Sequence, residues 1–265
     1  RYEGANNVTN ARKVAIQSTV IAIITGLIFG LSTIILGKQM LSVMGAKDEV
    51  IKAAIPFFYI VGGTSVFISL LTVFGSILRA TGDTKTPMLI NTIVNILNII
   101  ADYILIFGLG PIPAMGIVGT AIGTVLARLI GSILMFSKIQ QTKLSFQLRD
   151  IFTRSNYREL INLSIPAALE RLIMRLGQVV YFGLIVSMGM KTYASHSIAS
   201  NIESFTYMPG YGLTTAASIL VGNSIGAGNK KEAYEFGVLA AEIGAFIMAL
   251  GGIALFFGSP WFATW

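Results

Sequence analysis

Seven long apolar stretches divide this sequence, at roughly residues 14–37, 53–78, 87–108, 114–137, 160–188, 193–221 and 232–258. A bilayer's hydrocarbon core is about 30 Å thick, and a helix needs about 20 apolar residues to cross it. Inside hydrocarbon no water satisfies the backbone, so only helices and closed barrels span. The stretches are continuous rather than alternating, which selects helices over barrel strands. The expected fold class is therefore all-α, a polytopic membrane protein with seven transmembrane helices. Composition agrees, at 54% hydrophobic and 12% charged residues, where a soluble domain carries about 25% charged. That balance excludes a cytosolic enzyme, a disordered chain and a secreted disulfide scaffold. With 0 cysteines there is no thiolate metal site, and the single histidine, His196, cannot build a histidine cluster.

The net charge is +7. In a soluble protein this would raise nucleic-acid binding, but the positions argue otherwise. Twelve of the nineteen basic residues lie in one alternating set of connections: before the first stretch, at Arg79 and Lys85, in 138–159, and at Lys230 and Lys231. Four lie in the other set, and Arg128, Arg171 and Arg175 lie inside stretches. By the positive-inside rule the N-terminal segment and the 138–159 loop are cytoplasmic, the protein is multi-pass in the cell (cytoplasmic) membrane, and no nucleic acid is needed as a partner. The loop 138–159 is polar, basic and long, and marks the internal boundary. Its Leu144, Phe146, Leu148, Ile151 and Phe152 are expected to lie on the membrane surface.

A repeat is legible. Gly4-Ala5-Asn6-Asn7-Val8-Thr9-Asn10-Ala11 and Gly226-Ala227-Gly228-Asn229-Lys230-Lys231-Glu232-Ala233 match at Gly, Ala, Asn and Ala with a constant offset of 222. Six stretches separate the copies, so both point the same way, the pattern of a parallel repeat about an axis along the membrane normal. If one repeat holds about six spans, two hold about twelve, and this chain is expected to be an internal fragment of such a protein.

Ionisable residues inside membrane helices are costly and mark functional candidates. Asp102 is preceded at steps of four and three by Asn91, Asn95 and Asn98, so the four share one helical face. Asp102 and Asn98 offer oxygens to Na⁺, or Asp102 carries a proton; a structural hydrogen-bonding stripe is the alternative. The next stretch places Gly119, Gly123, Ala127 and Gly131 on one close-packing face, flanked by Thr120 and Thr124. Glu170 and Glu203 each lie about ten residues inside their stretches, near the midplane at 1.5 Å per residue. They form a cation or cationic-substrate site, an ion-pair network with Arg171 and Arg175, or both. Arg128 snorkels towards the cytoplasmic side; Glu242 and His196 are weaker candidates. Pro209, with Gly210 and Gly212, interrupts the sixth stretch, as a hinge or a static kink.

The run Arg79-Ala-Thr-Gly-Asp-Thr-Lys-Thr-Pro-Met88, continued by Asn91, Asn95, Asn98, Asp102 and Tyr103, resembles the multidrug and toxic compound extrusion (MATE) transporters of the MOP flippase superfamily. So do Met115-Gly-Ile-Val-Gly-Thr-Ala121 with Arg128, Ile165-Pro-Ala-Ala-Leu-Glu170, Asn201-Ile-Glu-Ser-Phe-Thr-Tyr-Met-Pro-Gly210 and Val221-Gly-Asn-Ser-Ile-Gly-Ala-Gly228. The resemblance implies a two-lobe, twelve-helix fold of which this chain holds about helices 3–9. Residues 1–137 would be part of the N-lobe (helices 3–6), 138–159 the inter-lobe loop, and 160–265 part of the C-lobe (helices 7–9). It also implies an antiporter that expels small organic cations or amphipathic drugs while admitting Na⁺ or H⁺, monomeric at full length and without a cofactor. Asn98, Asp102 and Thr120 match the family's N-lobe cation site. Glu170 lies on the helix that bears a C-lobe acid.

Two other readings compete. A lipid-linked precursor or polysaccharide flippase of the same superfamily would need a strongly cationic cavity, whereas the acids well inside the spans, Asp102, Glu170, Glu203 and Glu242, outnumber the bases Arg128, Arg171 and Arg175. An intramembrane enzyme would need clustered aspartates or a nucleophile with a base, and only one aspartate is intramembrane.

Overall fold

The computed structural model describes residues 1–43, 48–147, 149–150 and 157–262. Among these are eight helices: α1 (Val8–Val43), α2 (Asp48–Gly63), α3 (Ser65–Ala80), α4 (Lys85–Phe107), α5 (Ile117–Ile139), α6 (Arg158–Ser187), α7 (Met190–Gly226) and α8 (Lys230–Phe262). All seven expected stretches are helical, and the described residues form no strand beyond an isolated Leu109–Ile112 bridge. The exposed side chains include Ile24, Leu27, Phe29, Ile99 and Phe107, the outside that a hydrocarbon solvent requires and that water penalises. By length and apolarity α1, α4, α5 and α8 each suffice to cross a membrane, and α2 with α3 adds a fifth where the bent pair is counted as one span. At 30 and 37 residues α6 and α7 are long enough but more polar. No 18-residue window of α6 avoids Glu170, Arg171 and Arg175.

The second stretch is a bent pair rather than one rod, with α2 and α3 meeting at 44°. Gly62 and Gly63 weaken the helix there. The Thr64 hydroxyl then donates back to the Ile60 carbonyl (2.7 Å), and Ser65 donates to Gly62. Such back-bonding bends helices. α1 crosses at the bend so closely that side chains added at Gly30 or Gly62 would strike the Gly63 carbonyl and Thr33.

The chain divides into two compact units, Val8–Asn156 and Arg1–Asn7 with Tyr157–Trp265. In the first, α4 and α5 form an antiparallel hairpin. Its loop turns through Gly108, Gly110 and Gly116, all at positive φ, and is tied by Met115 N–H to the Leu105 carbonyl (2.9 Å). The small face of α5 seats α4: side chains added at Gly119, Gly123 or Gly131 would meet Leu105, Asp102 or Val94. Leu78, Met135 and Ile139 are fully buried, and the Phe136 ring meets Phe74 tilted at 5.5 Å and Phe146 edge to face at 5.6 Å. Leu144 and Phe146 were expected on the membrane surface. Instead they are buried at 4% and 3% exposure, held by Gln140 Nε2 donating to the Phe146 carbonyl (2.7 Å). A ring that can join an existing aromatic cluster gains more than one lying at an interface. Leu148, Ile151 and Phe152 lie outside the described residues.

In the second unit α7 and α8 pack as a hairpin, and α7 continues through Pro209 without a break in the helix. Most of α6 is exposed; Ile185 is its buried residue. The repeat appears atom for atom in the backbone. Asn7 N–H bonds to the Tyr2 carbonyl and Asn6 N–H to Glu3; 222 residues later Asn229 bonds to Ser224 and Gly228 to Ile225, all four at 2.9–3.1 Å. Both are Schellman helix ends, which need a residue at positive φ just past the helix. Gly228 supplies it at φ 81°, and Asn6 at φ 51° is the one non-glycine with positive φ among the described residues. Asparagine is the usual substitute for glycine there. The helices that follow start at Val8 and Lys230, again 222 apart.

Candidate functional site

Asp102 and Asn98 lie one turn apart on α4, on the side that faces α5. Asn98 Nδ2 donates to Asp102 Oδ1 at 3.2 Å and to Thr124 Oγ1 at 3.4 Å. All three side chains are half-buried. Gly123 closes the arrangement: its backbone lies against Asp102 Oδ1, where any side chain would collide. The hairpin register produces this set. The loop centres near residue 112, so Asp102 on the way in and Gly123 on the way out fall at the same height.

Of the asparagine stripe, the structure brings Asn98 to Asp102 and leaves Asn91 and Asn95 exposed. Thr120 lies one turn nearer the loop than Thr124, half-buried, and it is Thr124 that Asn98 reaches. The carboxylate therefore accepts from a primary amide, with one hydroxyl a turn away and α5 backbone beside it. No group of three or more His, Cys, Asp or Glu among the described residues is arranged to hold a metal. The set suits an ion bound through mixed amide, hydroxyl and carboxylate oxygens, or a proton on the carboxylate.

Glu170 on α6 and Glu203 on α7 are both exposed, as are Arg171 and Arg175. No ion pair joins either acid to either arginine; Arg175 donates instead to Gln178 at 2.9 Å. The α7–α8 hairpin carries an open groove of about 580 Å³ lined by Tyr207, Gly210, Tyr211, Thr214, Gly244 and Met248. Pro209 lies beside it in sequence. The rings of Tyr207 and Tyr211 meet edge to face at 5.8 Å. His196 packs between Tyr181 and Phe182 and shares a hydrogen bond with Ser200 (3.1 Å).

A family model described as MatE matches residues 1–104 and 166–264. A probable multidrug resistance protein NorM of Thermotoga maritima is 32% identical over 231 residues, covering 86% of this chain and 50% of that protein. An FAD transporter of Shewanella oneidensis is 28% identical over 232 residues, covering 84% of this chain and 50% of that protein. Among solved structures, a MATE crystal structure in the bent conformation superposes with a TM-score of 0.87 at 25% identity, over 98% of this chain and 58% of that one. A MOP superfamily transporter from Pyrococcus furiosus, described as having a binding pocket of reverse polarity, superposes at 0.88 and 25% identity, over 98% and 58%. The chain spans about half the length of the curated relatives it matches.

Proposed function

The chain belongs to the MatE family of membrane transporters, and from that premise we propose that it is part of a cation-coupled antiporter exporting cationic or amphipathic compounds by alternating access. The observation that carries this reading is the Asp102–Asn98–Thr124 cluster between α4 and α5. In the arrangement described, Asn98 turns its NH₂ to the carboxylate, the polarity that suits an ionised Asp102. Protonating Asp102 turns one carboxylate oxygen into a donor and leaves the other a weaker acceptor, so the hold of the Asn98 NH₂ on the carboxyl weakens. A Na⁺ at Asp102 and Asn98 turns the amide carbonyl inward, because it draws oxygens and repels the amide hydrogens. Either ion thereby rearranges the hydrogen bonds that join Asn98 to Asp102 and Thr124, and with them the packing of α4 on α5. An ion that binds one packing of the hairpin more tightly than the other shifts the population between them.

In this reading Thr120 and the exposed Asn91 and Asn95 line the polar approach to Asp102. Glu170 and Glu203 attract the cationic cargo, with Arg171 and Arg175 limiting its charge, and Tyr207, Tyr211 and Met248 offer faces for aromatic or amphipathic bodies. Pro209 and Gly210 give α7 its point of flexure. The protein acts as a monomer in the cytoplasmic membrane, with the N-terminal segment and the 138–159 loop inside the cell.

The test is efflux of a fluorescent organic cation from cells producing the protein at its full natural length. Asp102→Asn is expected to abolish ion-dependent efflux. Unchanged efflux with unchanged ion dependence would remove Asp102 from coupling. Flipping of a labelled lipid-linked sugar in proteoliposomes, with no efflux of the cation, would put the flippase reading first.

A further inference from the structure

The two copies of the repeat touch each other, and they do so reciprocally. A side chain at Gly4 would run into the carbonyl of Asn223, and one at Gly226 into the carbonyl of Arg1. Adding the repeat offset of 222 to Gly4 gives Gly226, and adding it to Arg1 gives Asn223. The two contacts are therefore one contact seen twice, the signature of a two-fold axis passing between the helix ends. Each glycine lays its Cα directly on the other copy's last helical turn. Gly222, one turn before Gly226, extends the seat, with room for a methyl at ordinary distance (3.8 Å) from the Arg1 nitrogen. The pair Gly222 and Gly226 has the small-xxx-small spacing that lets helix backbones meet.

We propose that Gly4 and Gly226 form a latch between these two helix ends, and that alternating access opens it. The proposal rests on the transport reading above. The chemistry fits a part that must open and close often. The contact is backbone on Cα–H, so parting it strands no charge and empties no side-chain pocket. The two Schellman turns keep both surfaces preformed when apart, because their hydrogen bonds are internal to each helix end. Directly after each turn comes a long helix, α1 or α8, so separation at the latch passes straight to a spanning element.

Closing depends on the missing Cβ atoms. A methyl at either glycine meets a backbone carbonyl that has no rotamer to escape into, so the helix ends must part. Because the contact is reciprocal, Gly4→Ala and Gly226→Ala should act alike. Gly222→Ala, at ordinary contact distance, and Gly252→Ala, with nothing within 4 Å, should not.

The experiment places spin labels at Ala5→Cys and Ala227→Cys, exposed positions on the two touching helix ends related by the same offset. It uses the otherwise cysteine-free protein at its full natural length, in detergent or lipid nanodiscs. Electron–electron distances are expected to show a short population in the parent and in Gly222→Ala and Gly252→Ala. Gly4→Ala and Gly226→Ala are each expected to lose most of it to longer distances. Unchanged distances in a folded Gly4→Ala or Gly226→Ala overturn the latch, and so does an equal shift in Gly252→Ala. If one glycine variant does not fold, the other alone decides. The distances need no substrate, so the latch can stand where cation efflux is absent, and efflux can stand where the latch fails.

Discussion

Asp102 and the pair Glu170–Glu203 carry the same sequence cue, an acid inside an apolar stretch, and meet opposite environments. Asp102 is gripped: Asn98 donates to it, and Gly123 of α5 lies against it. Glu170 and Glu203 stand exposed with no ion pair to Arg171 or Arg175. The difference comes from the neighbouring helix, not from the acid. α5 has glycine at the height of Asp102 and comes close enough to fix the carboxylate. α6, which carries Glu170, is exposed along most of its length, so no neighbouring helix closes on that acid among the described residues. A held acid suits a discriminating site for a small ion. Open acids suit long-range attraction of a larger cation, with little demand on geometry.

The sharpest way to break this contrast is to neutralise both sides of it. Glu170→Gln with Glu203→Gln is expected to raise the half-saturating concentration of a cationic drug roughly tenfold, equivalent to about 1.4 kcal/mol. The dependence of efflux on Na⁺ or pH should stay as in the parent, in contrast to its loss in Asp102→Asn. Transport titrations at several ion concentrations separate the outcomes. If the double glutamine variant loses ion dependence, the held and the open acids do the same work and the contrast fails.

Gly123→Ala leaves every polar group in place and changes only the fit. The added methyl must push the Asp102 carboxylate off α5, an overpacking that costs about 1–3 kcal/mol. Half-saturation by the coupling ion should rise, with cationic-drug affinity close to the parent. Gly237→Ala, where nothing lies within 4 Å, is the control. A parent-like ion titration in Gly123→Ala would mean the carboxylate does not depend on the notch.

A smaller effect separates two threonines. Thr124→Val removes the hydroxyl that Asn98 reaches, a loss of about 0.5–1.5 kcal/mol, and should shift ion half-saturation by several-fold. Thr120→Val should shift it less in this state of the protein. The reverse order would return the site to the residue that family resemblance picks.

That choice shows what the sequence could and could not tell. Periodicity placed Asn98 and Asp102 on one face, and small-residue spacing marked the face of α5 that packs. Neither says which height on α5 meets Asp102. The hairpin register does, and it depends on where the helices end: the stretches expected from sequence centre the loop near 111 and pair Asp102 with Thr120, whereas the observed ends, Phe107 and Ile117, shift the centre to 112 and bring Gly123 and Thr124 forward. The bend between α2 and α3 was less accessible, since a continuous apolar run hides hydroxyls that bond back to their own helix. The burial of Leu144 and Phe146 was out of reach. An amphipathic loop reads the same whether it faces lipid or a gap beside Phe136. The repeat was the best preserved signal, because a Schellman end needs glycine or asparagine at one fixed position.

The smallest effect guards the largest. Asp83, between α3 and α4, accepts from the Thr86 amide at 3.0 Å, and its carboxyl is held below the ordinary range chiefly by hydrogen bonds from the Thr86 side chain and backbone. A lowered carboxyl contributes stability that is fully present above the unfolded-state range near 3.9 and is lost as pH falls through the lower folded value. Asp83 is solvated, so screening keeps the effect small. Asp83→Ala should cost about 1 kcal/mol or less at neutral pH, like the loss of a helix-start bond, and nothing once the acid is protonated. Thermal melts at neutral and strongly acid pH test this: the gap between parent and variant should close only at the acid end. A pH dependence of transport near neutrality then cannot arise from Asp83, and if it vanishes in Asp102→Asn it belongs to the held acid of α4. A gap between parent and Asp83→Ala that opened or closed near neutral pH would undo that assignment, because two acids of one unit would then be titrating together.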